Sequence, residues 1–281
     1  MPITARLIRI TDAFDPRIVD YRDVRDRDLK GRGGRFIAEG AVVVREMARG
    51  GRFAFESALI AENRVPAMAD WIAGLPEDVP VHVAEGAVMD AIAGFAIHRG
   101  ILALARRGDP IDPVALLSAT RPDALVVACF GITNHDNLGG IFRNAAAFGV
   151  AGILLDETCC DPLYRKALRV SVGAAARVPF ARLGATEAPQ SKSGDACELL
   201  RAHGFTPLAL SPRGRRTLEE AAREFGGRRA LLLGSEGPGL PAAVMDAATG
   251  VRIAMHDDFD SLNVATTSGI ALYALTRTAQ G

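Results

Sequence analysis

The chain has 281 residues, 33 basic and 33 acidic side chains, and a hydrophobic fraction of 49%. That length suits about two domains and a self-sufficient core, with no need of disulfide or metal staples. Zero net charge argues against a nucleic-acid binder held mainly by a strongly basic surface, while leaving a local basic stripe open.

No apolar run approaches a membrane span, and the opening MPITARLIRI has no signal-type apolar core. Cys129, Cys159, Cys160 and Cys197 form no CxxC pair, and the five histidines form no HExxH. These features suggest a reduced, cytoplasmic protein with no metal and no membrane association.

Tyr21–Arg35 packs six cations and three aspartates into fifteen positions. It reads as a solvated, charge-laced helix or as a basic edge that touches phosphate. Strand and helix patterns then alternate. Strands are expected at Phe36–Glu39, Ala54–Ala61, Val79–Ala84 and Ile101–Ala105. Helices are expected at Ala41–Arg49, from Pro66 to Gly74, and at Gly86–Ala93. The product is a small α/β/α sandwich over residues 1–105. Residues 106–123 carry Arg106-Arg-Gly-Asp-Pro-Ile-Asp-Pro113, a linker around a short helix at Val114–Ser118.

Residues 124–281 form the second domain. The strand Ala124–Phe130, the helix Leu138–Phe148 and the strand Ala151–Leu155 make a βαβ unit. Further strands are expected at Thr206–Leu210, Arg229–Leu233 and Arg252–Met255, and Thr217-Leu-Glu-Glu220 fits a capping box. The fold class is α/β, with a mostly parallel sheet covered by helices on both faces. Gly184–Gly194 is polar and aperiodic and reads as a mobile loop.

Three loops carry the chemistry. The first is Asn134-His-Asp-Asn-Leu-Gly-Gly-Ile-Phe-Arg143. Asn137 is expected to cap the helix, Gly139 and Gly140 to bare its first turn to an anion, and Arg143 to follow nearly two turns on. The second is Gly234-Ser-Glu-Gly-Pro-Gly239 after an apolar strand, a glycine-rich turn holding the carboxylate of Glu236. It is neither a Walker loop nor a GxGxxG opening a helix. The third is Ser261-Leu-Asn-Val264 before a helix rich in small residues. There Ser261 is the expected cap, and Asn263 points back from the first turn into the crevice. Taken singly, each also reads as an ordinary cap, turn or core helix.

Together and in this order, the three strings resemble the signature of the SpoU/TrmH family of RNA ribose 2′-O-methyltransferases, within the SPOUT superfamily. The resemblance rests on Asn137-Leu-Gly-Gly-Ile-Phe-Arg143 with Ala-Phe-Gly-Val150, on Gly234–Gly239, and on Ser261–Val264. It implies a deep trefoil knot in the C-terminal domain, S-adenosylmethionine bound there, a homodimer, and an N-terminal ribosomal-protein-like RNA-binding module. Arg143, Asn137, Glu236, Ser261 and Asn263 are then the catalytic set. Leu233, Gly234, Gly239, Ile253 and Met255 wall the cofactor with backbone amides and apolar surface, and Leu262 closes it.

The expected substrate is structured RNA, ribosomal RNA in preference to transfer RNA. Arg22, Arg25, Arg27, Arg32 and Arg35, with Arg165, Lys166 and Arg169 at helical spacing, are the expected phosphate contacts. The family is often described with the arginine as general base. A guanidinium keeps its proton, so Arg143 is expected instead to stabilise the developing alkoxide and grip phosphate. Two other classes stand beside this reading. One is a dinucleotide-dependent enzyme, for which the GxGxxG-plus-acid pattern is missing. The other is a non-catalytic RNA-binding or assembly protein that retains the fold.

Overall fold

In the computed structural model, which describes residues 6–22, 34–94, 97, 99–184, 195–256 and 261–277, the strands sort into two sheets. The chain divides into two compact units. The first combines Met1–Gly108 with Leu163–Arg177, and the second combines Asp109–Pro162 with Val178–Gly281.

The first unit holds β1 (Leu7–Ile10), β2 (Arg35–Glu39), β3 (Phe55–Ala61), β4 (Val81–Ala84) and β5 (Ile101–Arg106), in the order β1-β4-β3-β5-β2. The first three in that order run parallel, and β5 is antiparallel to both of its neighbours. All of β4 is buried, which suits its short apolar sequence. β1 escapes the sequence reading because the four residues Leu-Ile-Arg-Ile are a weak signal. It lies on the edge, and Arg9 ion-pairs in the open with Glu62 and Glu85.

Tyr21 departs from the charged-helix reading. It ends the 3-10 turn Pro16–Tyr21 and is a core residue, 1% exposed. Its hydroxyl lies 2.7 Å from Ser57 Oγ and accepts from the Leu104 N–H. Residues 23–33 lie outside the described residues, so the rest of that stretch is not placed.

The segment 163–177 belongs by sequence to the C-terminal half yet packs within the first unit. The buried Glu39 carboxylate at the end of β2 pairs with Arg165 at 2.7 Å and with Arg169 at 3.4 Å, and Glu46 pairs with Arg177 at 3.6 Å.

The second unit is built on a parallel sheet of β6 (Leu125–Phe130), β7 (Gly152–Leu155), β8 (Phe180–Arg182), β9 (Thr206–Leu210), β10 (Arg216–Thr217), β11 (Arg229–Gly234) and β12 (Thr249–Arg252). Its order is β10-β12-β9-β11-β6-β7-β8. β6 and β7 are buried throughout, so they read as unbroken apolar runs. β8 and β10 are too short to show in the sequence. The last strand is Thr249–Arg252, not Arg252–Met255. The apolar residues that suggested the later span, Ile253 and Met255, line a cavity instead.

The helix Pro113–Ser118 within the expected linker is part of this core. Leu116 and Leu117 are buried there, and Asp112 caps the helix through the Ala115 N–H. The Thr217–Glu220 capping box forms as expected. The expected mobile loop 184–194 falls almost wholly outside the described residues. No helix among the described residues is long and apolar enough to cross a membrane.

Candidate active site

Parallel strands direct the loops at their carboxyl ends to one edge of the sheet, where α/β proteins place ligands. The loop after β6 leads into the helix His135–Ala147. Asn134, not Asn137, caps that helix, with Oδ1 accepting from the Asp136 N–H at 2.7 Å. His135 is therefore the first helical residue. Asn137 sits within the first turn, 8% exposed, and its side chain is free of capping duty. Asp156 at the end of β7, which the sequence reading did not single out, holds the approach to this helix in place. Its buried carboxylate accepts from the N–H groups of Gly131, Thr158 and Cys159 at 3.0, 3.1 and 2.8 Å. The only sequence signal is an acid directly after an apolar strand.

Asn263 is the hub of the site. Its Oδ1 accepts from the N–H groups of Ala265 and Thr266 at 2.9 and 3.2 Å, so Asn263 caps the helix Val264–Arg277. The cap was expected at Ser261, two residues earlier. The Asn263 amide donates to Asn137 Oδ1 at 2.8 Å and to Glu236 Oε1 at 2.9 Å. One side chain thus joins all three sequence strings. Glu236 is presented by a sharply folded loop in which Gly239 N–H bonds back to Ser235 O. A Cβ on Gly234 would lie 2.2 Å from the Gly239 carbonyl carbon, so only glycine fits there.

Arg143 is on the same helix as Asn137, about 9 Å further along and about 120° round the axis. It is exposed and donates to no described residue. The small-residue face of Val264–Arg277 packs against this helix within the same chain. A Cβ on Gly140 would meet Ala265 Cβ at 2.6 Å, and the Asn144 amide donates to Ala265 O and Ser268 Oγ at 2.7 and 2.9 Å. The small residues thus let two helices of the same chain approach closely.

Beside Glu236 and Asn263 lies a cavity of about 570 Å³, ordinary for a small-ligand site. Leu233, Gly234, Gly239, Ile253, Met255 and Leu262 all line it, as do Glu236, Ser261 and Asn263. Asn137 and Arg143 do not. The sequence reading missed the contribution of Leu210, Ser211, Pro212 and Thr267. The described lining carries one carboxylate and no cation, with apolar walls and backbone edges. That set fits S-adenosylmethionine, whose purine needs flat apolar surface and whose sulfonium is positive.

The expected RNA contacts are differently placed. Arg22 lies over the Phe14 ring and donates to Ala13 O and Asp15 O, and Arg35 forks onto Asp20 at 2.7 and 3.0 Å. Arg165 and Arg169 are engaged by Glu39, Lys166 is exposed, and Arg25, Arg27 and Arg32 lie outside the described residues. Among the described residues no three His, Cys, Asp or Glu side chains gather in a way that could hold a metal ion. Cys129, Cys159 and Cys197 are buried free thiols, and burial raises the pKa of each.

A parallel α/β unit with an apolar cavity and a polar amide–carboxylate cluster at the strand ends defines a small-ligand-binding α/β protein. Residues 124–273 match the model of the SpoU rRNA Methylase family. An uncharacterized tRNA/rRNA methyltransferase of Mycobacterium tuberculosis is 38% identical over 95% of this chain and 91% of its own. The 23S rRNA (guanosine-2′-O-)-methyltransferase RlmB of Acinetobacter baylyi is 27% identical over 72% of this chain and 80% of its own. The AdoMet-bound rRNA methyltransferase of Sinorhizobium meliloti has the same fold, with a TM-score of 0.77, 23% identity, and coverage of 97% of this chain and 98% of its own. The chain belongs to the SpoU rRNA methylase family. It is an S-adenosylmethionine-dependent RNA ribose 2′-O-methyltransferase acting on ribosomal or transfer RNA.

Proposed function

We propose that the substrate is ribosomal RNA, that Arg143, Asn137, Glu236, Ser261 and Asn263 carry the reaction, and that the active species is a homodimer. The observation that carries the site assignment is the hydrogen-bonded set Asn137–Asn263–Glu236, of which Asn263 and Glu236 line the cavity. S-adenosylmethionine, when bound, supplies an electrophilic methyl group.

The chain's own residues must hold the ribose hydroxyl in line, exclude water and manage one proton. Asn263 fixes the Asn137 amide and one Glu236 oxygen, leaving Glu236 Oε2 without a described partner. Arg143 remains a cation. It stabilises charge growing on the attacking oxygen and grips the adjacent phosphate, while the proton departs to water or phosphate. Ser261, exposed on the cavity wall, adds a hydroxyl to the polar end.

The exposed apolar side chains Ile270 and Tyr273 support the dimer, with Phe148 edge-on to Tyr273 at 6.1 Å. Light scattering should give twice the chain mass, and Tyr273→Asp should lower it. An active monomer at micromolar concentration rules the dimer out. Mapping ribose methylation in total RNA with and without the gene tests the substrate. A missing mark in transfer RNA alone overturns the ribosomal assignment.

A further inference from the structure

The loop that follows β9, Ser211-Pro-Arg-Gly-Arg215, borders the cofactor cavity, where Ser211 and Pro212 form part of the wall. It is held rigidly. Ser211 N–H donates to Val251 O at 2.9 Å, and Gly214 N–H donates to Ser211 O at 3.0 Å. Arg252 Nη1 clamps the carbonyls of Gly214 and Arg215 at 2.8 and 2.9 Å. Gly214 is pressed onto β12 so closely that a Cβ would lie 2.3 Å from the Val251 carbonyl carbon.

This clamped backbone carries two further guanidiniums, Arg213 and Arg215. Both are exposed, and neither donates to a described residue. Their neighbours are already engaged: Arg216 is forked onto Glu224 and Arg252 is bound to the loop itself. Neither Arg213 nor Arg215 lines the cavity, so their charge is presented outside it rather than to an enclosed ligand. Leaving two arginines uncompensated on a rigid rim has a cost in self-repulsion, which an approaching polyanion relieves.

We infer that Arg213 and Arg215 contact backbone phosphates of the RNA substrate and hold it at the mouth of the cofactor cavity. This rests on the reading of the chain as an RNA methyltransferase. A phosphate is the fitting partner because a guanidinium fork matches its oxygens and because the contact requires no particular base. Pre-fixing the loop also means that little backbone order is lost on binding.

The test measures binding of the full-length chain to a 23S rRNA transcript across a series of KCl concentrations. For Arg213→Ala/Arg215→Ala, affinity at ~0.1 M salt should fall roughly tenfold, and the slope of log K against log salt should shrink by about 1–2. Calorimetric affinity for S-adenosylmethionine should stay unchanged. The Arg213→Lys/Arg215→Lys chain, which keeps both charges, should retain the wild-type slope. An unchanged slope and affinity in the alanine variant overturns the inference and leaves the RNA reading standing. Loss of S-adenosylmethionine affinity in that variant also overturns it, and assigns the pair to the anionic end of the cofactor. A wild-type chain with no salt-dependent RNA binding brings down both.

Discussion

In the first unit several arginines are matched with carboxylates: Arg35 with Asp20, Arg106 with Glu56, Arg165 and Arg169 with buried Glu39, and Arg177 with Glu46. In the second unit Arg216 is likewise forked onto Glu224, but the guanidiniums of Arg143, Arg213 and Arg215 are exposed and donate to no described residue. Both sets look alike in the sequence. The contrast shows that a cationic pattern reports an outside partner only after the carboxylates that fold beside it have been subtracted. Matched arginines hold the chain together, and unmatched ones are available to substrate.

The sharpest way to break this contrast is at Arg143. Arg143→Ala should cut the methyl-transfer rate by roughly 10²–10³, with stability changed by no more than about 0.5 kcal/mol and cofactor affinity intact. Arg143→Lys should recover part of the rate at neutral pH and lose it as pH rises through the lysine pKa. A single-turnover profile that rises with pH instead makes residue 143 the base and ends the charge-stabilisation account.

Glu39→Ala should behave in the opposite way. It leaves Arg165 and Arg169 without their carboxylate beside a buried strand end. Arg169 is 35% exposed and partly screened, so the loss should be about 2–3 kcal/mol. Urea unfolding showing less than about 0.5 kcal/mol would mean that water already carries those charges.

Asn263→Asp sharpens the comparison inside the site. Aspartate still caps the helix but cannot donate to Asn137 or Glu236, and it sets a second carboxylate beside Glu236. The rate should drop roughly 10–100-fold with the helix intact by circular dichroism. A wild-type rate removes Asn263 from the catalytic set.

The smallest effect concerns His82 in β4, 3% exposed, with no hydrogen-bond partner for Nδ1. Burial holds its pKa below the usual histidine range, Arg17 adds to this, and Asp15 opposes it. As pH falls through about 6.5 the unfolded chain takes up this proton before the folded one, so stability falls. The contribution is fully present above the unfolded pKa. Melting at about pH 7.5 and about pH 5.5 should show a loss of up to ~1 kcal/mol that His82→Leu abolishes. An equal slope in that variant assigns the pH dependence elsewhere.

Much of the second unit was legible because buried parallel strands are apolar throughout, and because Asn137, Arg143, Glu236 and Asn263 sit in strings of fixed spacing. The capping residues of two helices were misplaced. Asn134 and Asn137 are equally good caps on paper, as are Ser261 and Asn263, and only tertiary bonds decide between them. Asp156 was invisible because its partners are backbone N–H groups, which every residue possesses. Tyr21 was misread because fourteen mostly charged neighbours masked one aromatic ring that anchors a core. The role of Arg165 and Arg169 was hidden because their partner, Glu39, lies more than a hundred residues upstream.

The return of residues 163–177 to the first unit also sets a schedule for synthesis. The first sheet has all its strands once Arg106 has been made, but Glu39 must wait for Arg165 and Arg169 to leave the ribosome. By then β6 and β7 of the second unit have already been translated. The first unit is thus discontinuous along the chain and cannot be completed as an autonomous nascent domain. A nascent chain stalled before Leu163 should expose the Glu39 end of β2 to protease, and one stalled well beyond Arg177 should protect it.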